Sequence, residues 1–351
     1  MIHISIDKNS IETIKKIWGQ WFFRVDKINE FISILDKDET FREMIFPEIE
    51  QYQKWKLEFK NNKKVLRNNE WRLKIYEFFF ADLSNNKVVV EKYKKSIHSQ
   101  TKKFLLKNYD NYRVSSCLSK IINELKIEVC PYCNRNFLEK YSVKNSLGQK
   151  KIYFKGDLDH HYSKNEIPAL ALSFYNLVPS CKVCNHEKLE SDKRTFYPFY
   201  DYEDNEYRFF IELYNDKDEY DITYDELIDD IEHKRFDSTV WQGISDNFNI
   251  KLRGVGKTEL NDCMKNSNEI FKLEKKYNNS KKYVKEIIRK KYIYPEIHKE
   301  MLLKNFGEIF KNESSILETF YSYIGSGEKI YSRPLSKLTK DILDQIGMLD
   351  D

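Results

Sequence analysis

The 351-residue chain has no apolar run long enough to span a bilayer. Its first residues, "MIHISIDKNS", lack a basic stretch followed by an apolar one, so no secretory signal is read there. Internal repeats and low-complexity tracts are also missing, which excludes solenoids, fibrous proteins and disordered linkers as descriptions of the whole. With 40% hydrophobic and 33% charged residues the composition is that of an ordinary globular protein. The expected location is the cytoplasm, with no membrane partner. Net charge is only +4, but residues 201–232 carry 14 acids against Arg208 and Lys217. That segment holds −12, which leaves +16 on the remainder. A basic body with one acidic segment suits a polyanion-binding surface; a solvated acidic flank without a role is the alternative.

Cysteine is scarce and unevenly placed. Four of the six lie in two Cys-x-x-Cys pairs, Cys130/Cys133 in "CPYCNRNF" and Cys181/Cys184 in "PSCKVCNHEKLE". In a reducing compartment two such pairs read as a metal site before they read as disulfides. Thiolates at this spacing give zinc two ligands per knuckle, so the four predict one structural Zn²⁺. Cys117 lies on the apolar stripe Val114, Leu118, Ile121, Ile122 and Leu125, and Cys263 lies beside Met264. Both read as buried core thiols.

Three regions follow from periodicity. Residues 1–115 read as helical, with Ile11, Ile14, Trp18, Phe22, Val25, Ile28, Ile32 and Leu35 at three- and four-residue steps and Ser10 as a candidate N-cap. Residues 116–204 hold the cysteine pairs. There "KKIYFKGDLDH" alternates as one strand, and "CKVCNHEKLESDK" reads as a short helix. Residues 205–351 mix strand-like pieces, "YRFFIELYN" and "YDITY", with later helices. The fold class expected is α+β. In "KKYNNSKKYVKEIIRKK" eight basic residues stand against one acid. Val284, Ile287 and Ile288 face inward, and Lys282, Lys285 and Arg289 share another stripe.

Between the knuckles, "GDLDHHYSK" puts Asp159-His160 at a strand end, and Asn185 directly follows the last cysteine. If zinc pins that helix to the strand, Asp159 and Asn185 can face each other. Two oxygen ligands plus waters suit Mg²⁺ or Mn²⁺. His160, a neutral imidazole at cellular pH, could take a proton from a water that attacks phosphorus.

In order and spacing these residues resemble the HNH endonucleases with a ββα-metal (His-Me finger) core and a zinc frame. The likeness covers about 60 to 90 residues around the cysteines. It implies Asp159 and Asn185 as catalytic-metal ligands, His160 as general base, and Asn176 in "SFYNLVPSC" as the residue bracing the active-site loop. The whole would then be mainly helical flanks around an HNH core held by a four-cysteine zinc site. The doubled histidine leaves a second assignment open, with His160 as ligand, His161 as base and a softer metal such as Zn²⁺ or Ni²⁺. The carboxylate before the doublet favours Asp159 and His160. His186 reads as a phosphate contact or a solvent residue. Lys188, Lys193 and Arg194, with the Lys282, Lys285, Arg289 stripe, are candidate nucleic-acid contacts, and ordinary surface charge is the alternative for each. The aromatics of "FYPFYDY" read as core packing.

The wider pattern is similar to HNH subunits of bacterial anti-phage systems such as Septu, whose nuclease works with an ATPase partner. The expectation is therefore a metal-dependent nuclease acting on DNA in phage defence. RNA is the alternative substrate. A non-catalytic zinc module that binds nucleic acid or protein is the competing class.

Overall fold

The computed structural model describes residues 2–349 except 63–68, 84–86, 145, 147, 149, 190, 192, 201–206, 214–236, 255–257, 295 and 325–329. Most of the acidic segment 201–232 and the "YDITY" strand therefore lie outside the described residues. Among those described, no helix is long and apolar enough to cross a membrane.

Among the described residues, eight helices precede the first strand: α1 (Lys8–Phe22), α2 (Val25–Lys37), α3 (Glu39–Ile45), α4 (Ile49–Asn61), α5 (Asn69–Phe79), α6 (Lys87–Tyr93), α7 (Ser99–Arg113) and α8 (Ser116–Leu125). The continuous apolar stripe read from Ile11 to Leu35 spans two helices, because Arg24 takes extended backbone and breaks it. The break lets α2 turn back, so that Phe31 packs edge-on against Phe22 at 5.5 Å. Trp18 stacks on Phe22 at 4.5 Å and meets Phe79 at 5.3 Å. Such ring pairs add to the burial that drives helix association. The N-cap of α1 is Asp7 rather than Ser10. The Asp7 carboxylate accepts from the Ser10 amide at 2.8 Å and its hydroxyl at 2.9 Å.

Among its described residues the centre holds two antiparallel strand pairs. Strand β1 (Lys140–Lys144) pairs with β2 (Lys150–Phe154), and β3 (Asp157–His160) pairs with β4 (Leu177–Ser180). Helix α9 (Lys182–Lys188) follows β4 at once, capped by the Cys181 sulfur, which accepts from the Cys184 amide. The one strand read through residues 150–160 is two strands in two sheets. The chain passes between them at Gly156, where a Cβ would lie 2.5 Å from the Phe154 ring and 3.2 Å from the Ser180 carbonyl.

Beyond the centre, β5 (Tyr207–Leu213) pairs with β6 (Phe248–Gly254). The partner strand is absent from the sequence reading, although Phe248, Ile250 and Leu252 alternate and are buried. Helices α10 (Thr258–Phe271), α11 (Leu273–Asn278), α12 (Lys281–Ile293), α13 (Glu296–Asn305), α14 (Glu313–Tyr321) and α15 (Ser336–Gln345) complete the chain. Val284, Ile287 and Ile288 of α12 are buried, as their spacing predicts, and Gly347 follows α15 at φ +66°.

All three regions contribute to one continuous buried cluster, from Ile2 to Ile346. Several ties converge on the turn at residues 130–134. The Ile2 amide donates to Pro131 O, Tyr277 Oη to Cys133 O at 2.7 Å, and the Leu335 amide to Asn134 O. Asn134 is fully buried with a left-handed φ of +47°. Its side-chain oxygen accepts from the Lys337 amide at 3.0 Å and the Ser336 hydroxyl at 3.2 Å. Helix α15 gets no side-chain cap from its own flanking Leu335, so Asn134, about two hundred residues away in sequence, caps it. Asn134→Ala is expected to lower stability by about 2–3 kcal/mol, from a lost cap and buried orphan donors. Urea denaturation measures it, with the m-value unchanged.

Candidate functional site

Four buried sulfurs root the site. Cys130, Cys133, Cys181 and Cys184 place their Sγ atoms within 4.8 Å of one another. The Asn136 amide donates to Cys181 Sγ at 3.3 Å and the Cys184 N–H at 3.5 Å. Sulfhydryl donors from Cys130, Cys133 and Cys184 hold the Cys181 thiol well below its ordinary value. A hydrogen bond from Cys130 likewise pulls Cys133 down to about 7. Burial pushes the Cys130 thiol up and a hydrogen bond with Cys130 pushes Cys184 up, so the low and high thiols share protons within the cluster. Thiolate is the form that ligates metal, and the four sulfurs could bind one tetrahedral ion such as zinc on losing those protons. Cys117 and Cys263 lie outside the cluster and are buried, as read from their apolar stripes.

The second knuckle starts α9 against one face of β3. Side chains alternate along a strand, so Asp157 and Asp159 point to α9 while Leu158 and His160 point away. Asp157 Oδ2 accepts from Asn185 Nδ2 at 3.1 Å, and both residues are half-buried. Asp159, only 4% exposed, meets Lys188 at 2.9 Å and accepts from the Tyr132 hydroxyl at 2.6 Å. Lys188 Nζ also donates to His160 O at 2.6 Å. Asp159 and Asn185 thus share the β3–α9 interface, but each bonds a different partner.

On the other face, His160 Nε2 lies 3.0 Å from Ala171 O, and its ring is 4.4 Å from Tyr109. Burial pushes the His160 pKa down to about 4, so its imidazole is neutral at physiological pH. The loop that carries Ala171 is closed by Asn176. Its Oδ1 accepts from the Tyr162 amide at 2.8 Å, and its Nδ2 donates to Tyr162 O and Leu170 O, each at 3.1 Å. Its carbonyl accepts from the His161 amide. His161 lies 4.6 Å from the Tyr197 ring with Nδ1 buried and unpartnered. Burial first, then Lys188 and Arg194, holds that imidazole neutral.

The basic candidates separate. Lys188, expected on a phosphate-facing surface, is only 4% exposed because Asp159 draws it inward. Lys193 is exposed and reaches Glu269 at 2.7 Å; Arg194 and His186 are exposed. On α12, Lys282 is exposed and Lys285 half-buried. Arg289 donates to Gly243 O at 2.9 Å, and Gly243 seats so closely that a Cβ there would come within 2.7 Å of Lys285 O. That stripe is therefore partly covered by the turn at residues 238–243. Phe196, Tyr197 and Phe199 are buried, in keeping with core packing.

Two contacts escape the sequence reading. Tyr132 sits between the first two cysteines, so its place in the knuckle was the available clue to its reach toward Asp159. Tyr109 of α7 donates to Leu158 O at 3.0 Å, but nothing in the sequence marks it among 24 tyrosines. Compared with known proteins, the chain matches no family model, no curated protein and no solved structure.

Cys184→Ser is expected to weaken zinc retention by more than about 100-fold, since changes outside the ligand shell alone cost up to that much. It should also lower the melting temperature. Chelator competition on the purified protein, followed by elemental analysis, measures the first effect.

Proposed function

We propose that this chain is a metal-dependent HNH-type endonuclease that hydrolyses phosphodiester bonds in DNA. One observation carries the reading: at one strand end a neutral, oriented histidine side chain lies on one face and an oxygen-lined cation site, which includes that histidine's carbonyl, on the other. The strand–loop–strand–helix order of β3, the Asn176 loop, β4 and α9 supports it, as does the sulfur cluster at the helix start.

The donor set fits a hard divalent ion. Both Asp159 carboxylate oxygens and His160 O already surround a cation, the Lys188 ammonium, at 2.6–3.1 Å. Oxygen ligands of this kind suit Mg²⁺ or Mn²⁺. Asp159 and Asn185 would hold the ion, and Asp157 adds charge beside Asn185. A divalent ion bound there supplies Lewis-acid stabilisation of the departing oxygen.

His160 acts as the general base. With its Nε2–H donated to Ala171 O, Nδ1 is left as the acceptor nitrogen. It takes a proton from water as the water oxygen attacks phosphorus and the bridging P–O bond breaks. Asn176 keeps the Ala171 carbonyl in place and is a positioning residue. Exposed Lys193 and Arg194 meet the backbone phosphates. The resemblance to anti-phage HNH subunits supports a cytoplasmic defence effector that works with an ATPase subunit. In that reducing compartment the four thiols stay available to zinc.

The test is plasmid cleavage with Mg²⁺ or Mn²⁺ by wild type and His160→Ala at equal zinc content. Wild type is expected to cleave and the variant to lose at least about 100-fold in rate. Equal rates would take the base away from His160. Cleavage of RNA alone would change the substrate. Salt-sensitive binding without cleavage, with or without an ATPase partner, would favour the non-catalytic module.

A further inference from the structure

Beside Asp159, the proposed chemistry leaves a buried charge without a task. Lys188 lies in the last turn of α9, where a lysine ordinarily extends into water. Instead it is 4% exposed, and its three N–H donors meet Asp159 Oδ1 at 3.1 Å, Asp159 Oδ2 at 2.9 Å and His160 O at 2.6 Å. Taking an ammonium out of water is costly unless its partners satisfy it. Here they do, and Tyr132 fixes the carboxylate from behind. The acceptors are two carboxylate oxygens and a carbonyl, the ligand types that hard divalent ions select. Asn185 is three residues before Lys188, so both project from the same face of α9 toward β3.

We infer that Lys188 is a resident stand-in cation, which fills the Asp159 site when no divalent ion is bound and competes with the metal for it. The inference rests on the proposed function only in taking Asp159 as a metal ligand. Its consequence is an exchange: the ammonium leaves as the divalent ion enters, so the buried charge rises by a single unit. Asp159 is never a bare buried anion, and the fold does not depend on the catalytic metal. Metal affinity is set by the difference between two cations at one site. Lys188 is thus a positioning residue, acting through Asp159.

The test is Mn²⁺ binding to the zinc-loaded full chain without nucleic acid, read from the electron paramagnetic resonance signal of free Mn²⁺. Lys188→Met and Lys188→Gln are expected to bind Mn²⁺ about tenfold tighter or more, because the competing charged hydrogen bonds are gone. Lys188→Arg keeps a cation and is expected to stay as weak as wild type. The double variant Asp159→Asn with Lys188→Met, which removes both charges, is expected to lose the gain. A merely structural lysine would give the opposite sign, with lower thermal stability and weaker binding together. Folded Met and Gln variants that bind Mn²⁺ no tighter than wild type would overturn the inference. So would a double variant that kept the gain. Plasmid cleavage judges the nuclease reading separately: a gain in Mn²⁺ affinity without cleavage leaves the cation site standing and removes the enzyme.

Discussion

Drawing four sulfurs within 4.8 Å of one another joins two segments some fifty residues apart and sets where everything between them goes. Four buried sulfurs this close could share one metal ion, whose binding would then be coupled to folding. The consequences run outward. Cys181 begins α9 and caps it, which aims Asn185 and Lys188 at β3. The first knuckle receives the N-terminal segment on Pro131, α11 on Cys133 through Tyr277, and α15 on Asn134. Helical regions that look separable in sequence are tied to the cluster by buried backbone groups, each of which needs its partner.

The face of β3 toward α9 is arranged around the cost of burying charge. Asp157 lies near the exposed edge and bonds a neutral amide, whereas Asp159 lies deeper and bonds an ammonium and a phenol. The deeper carboxylate has the charged partner because an unpaired ion there is far more expensive than at the edge. Tyr132 and Lys188 come from the two different knuckles. The sulfur cluster therefore positions both partners of Asp159 as well as the helix.

The two knuckles, the strand end at Asp159-His160 and the short helix that starts at the second knuckle were legible because each rests on local spacing. Burial of Cys117, Cys263, Val284, Ile287 and Ile288 was legible from helical period. The misses share a cause: they depend on contacts that spacing does not encode. Ser10 resembles a cap, but Asp7 three residues earlier starts the helix by accepting from Ser10's own amide. The alternation through residues 150–160 continues across Gly156, and only the close approach of Phe154 and the Ser180 carbonyl shows the break. Lys188 looks like surface charge in the sequence, since a lysine in a polar helix gives no sign that a carboxylate twenty-nine residues earlier lies within reach. The tertiary cap from Asn134 to α15 has no local signature at all.

Strand alternation also decides how a substrate would have to approach. Asp159 and His160 are adjacent, so their side chains leave β3 on opposite faces, one toward α9 and the other toward the Ala171 loop. A group meeting both side chains would have to reach around the strand end. The Asn176 bonds fix the loop beside that end through Tyr162 and Leu170. Tyr109 holds the same end from the helical side, bonding Leu158 O and lying against the His160 ring. A displacement of α7 would therefore reach the imidazole through a single side chain. Through Tyr109, helix α7 is in direct contact with the histidine on which the proposed chemistry depends.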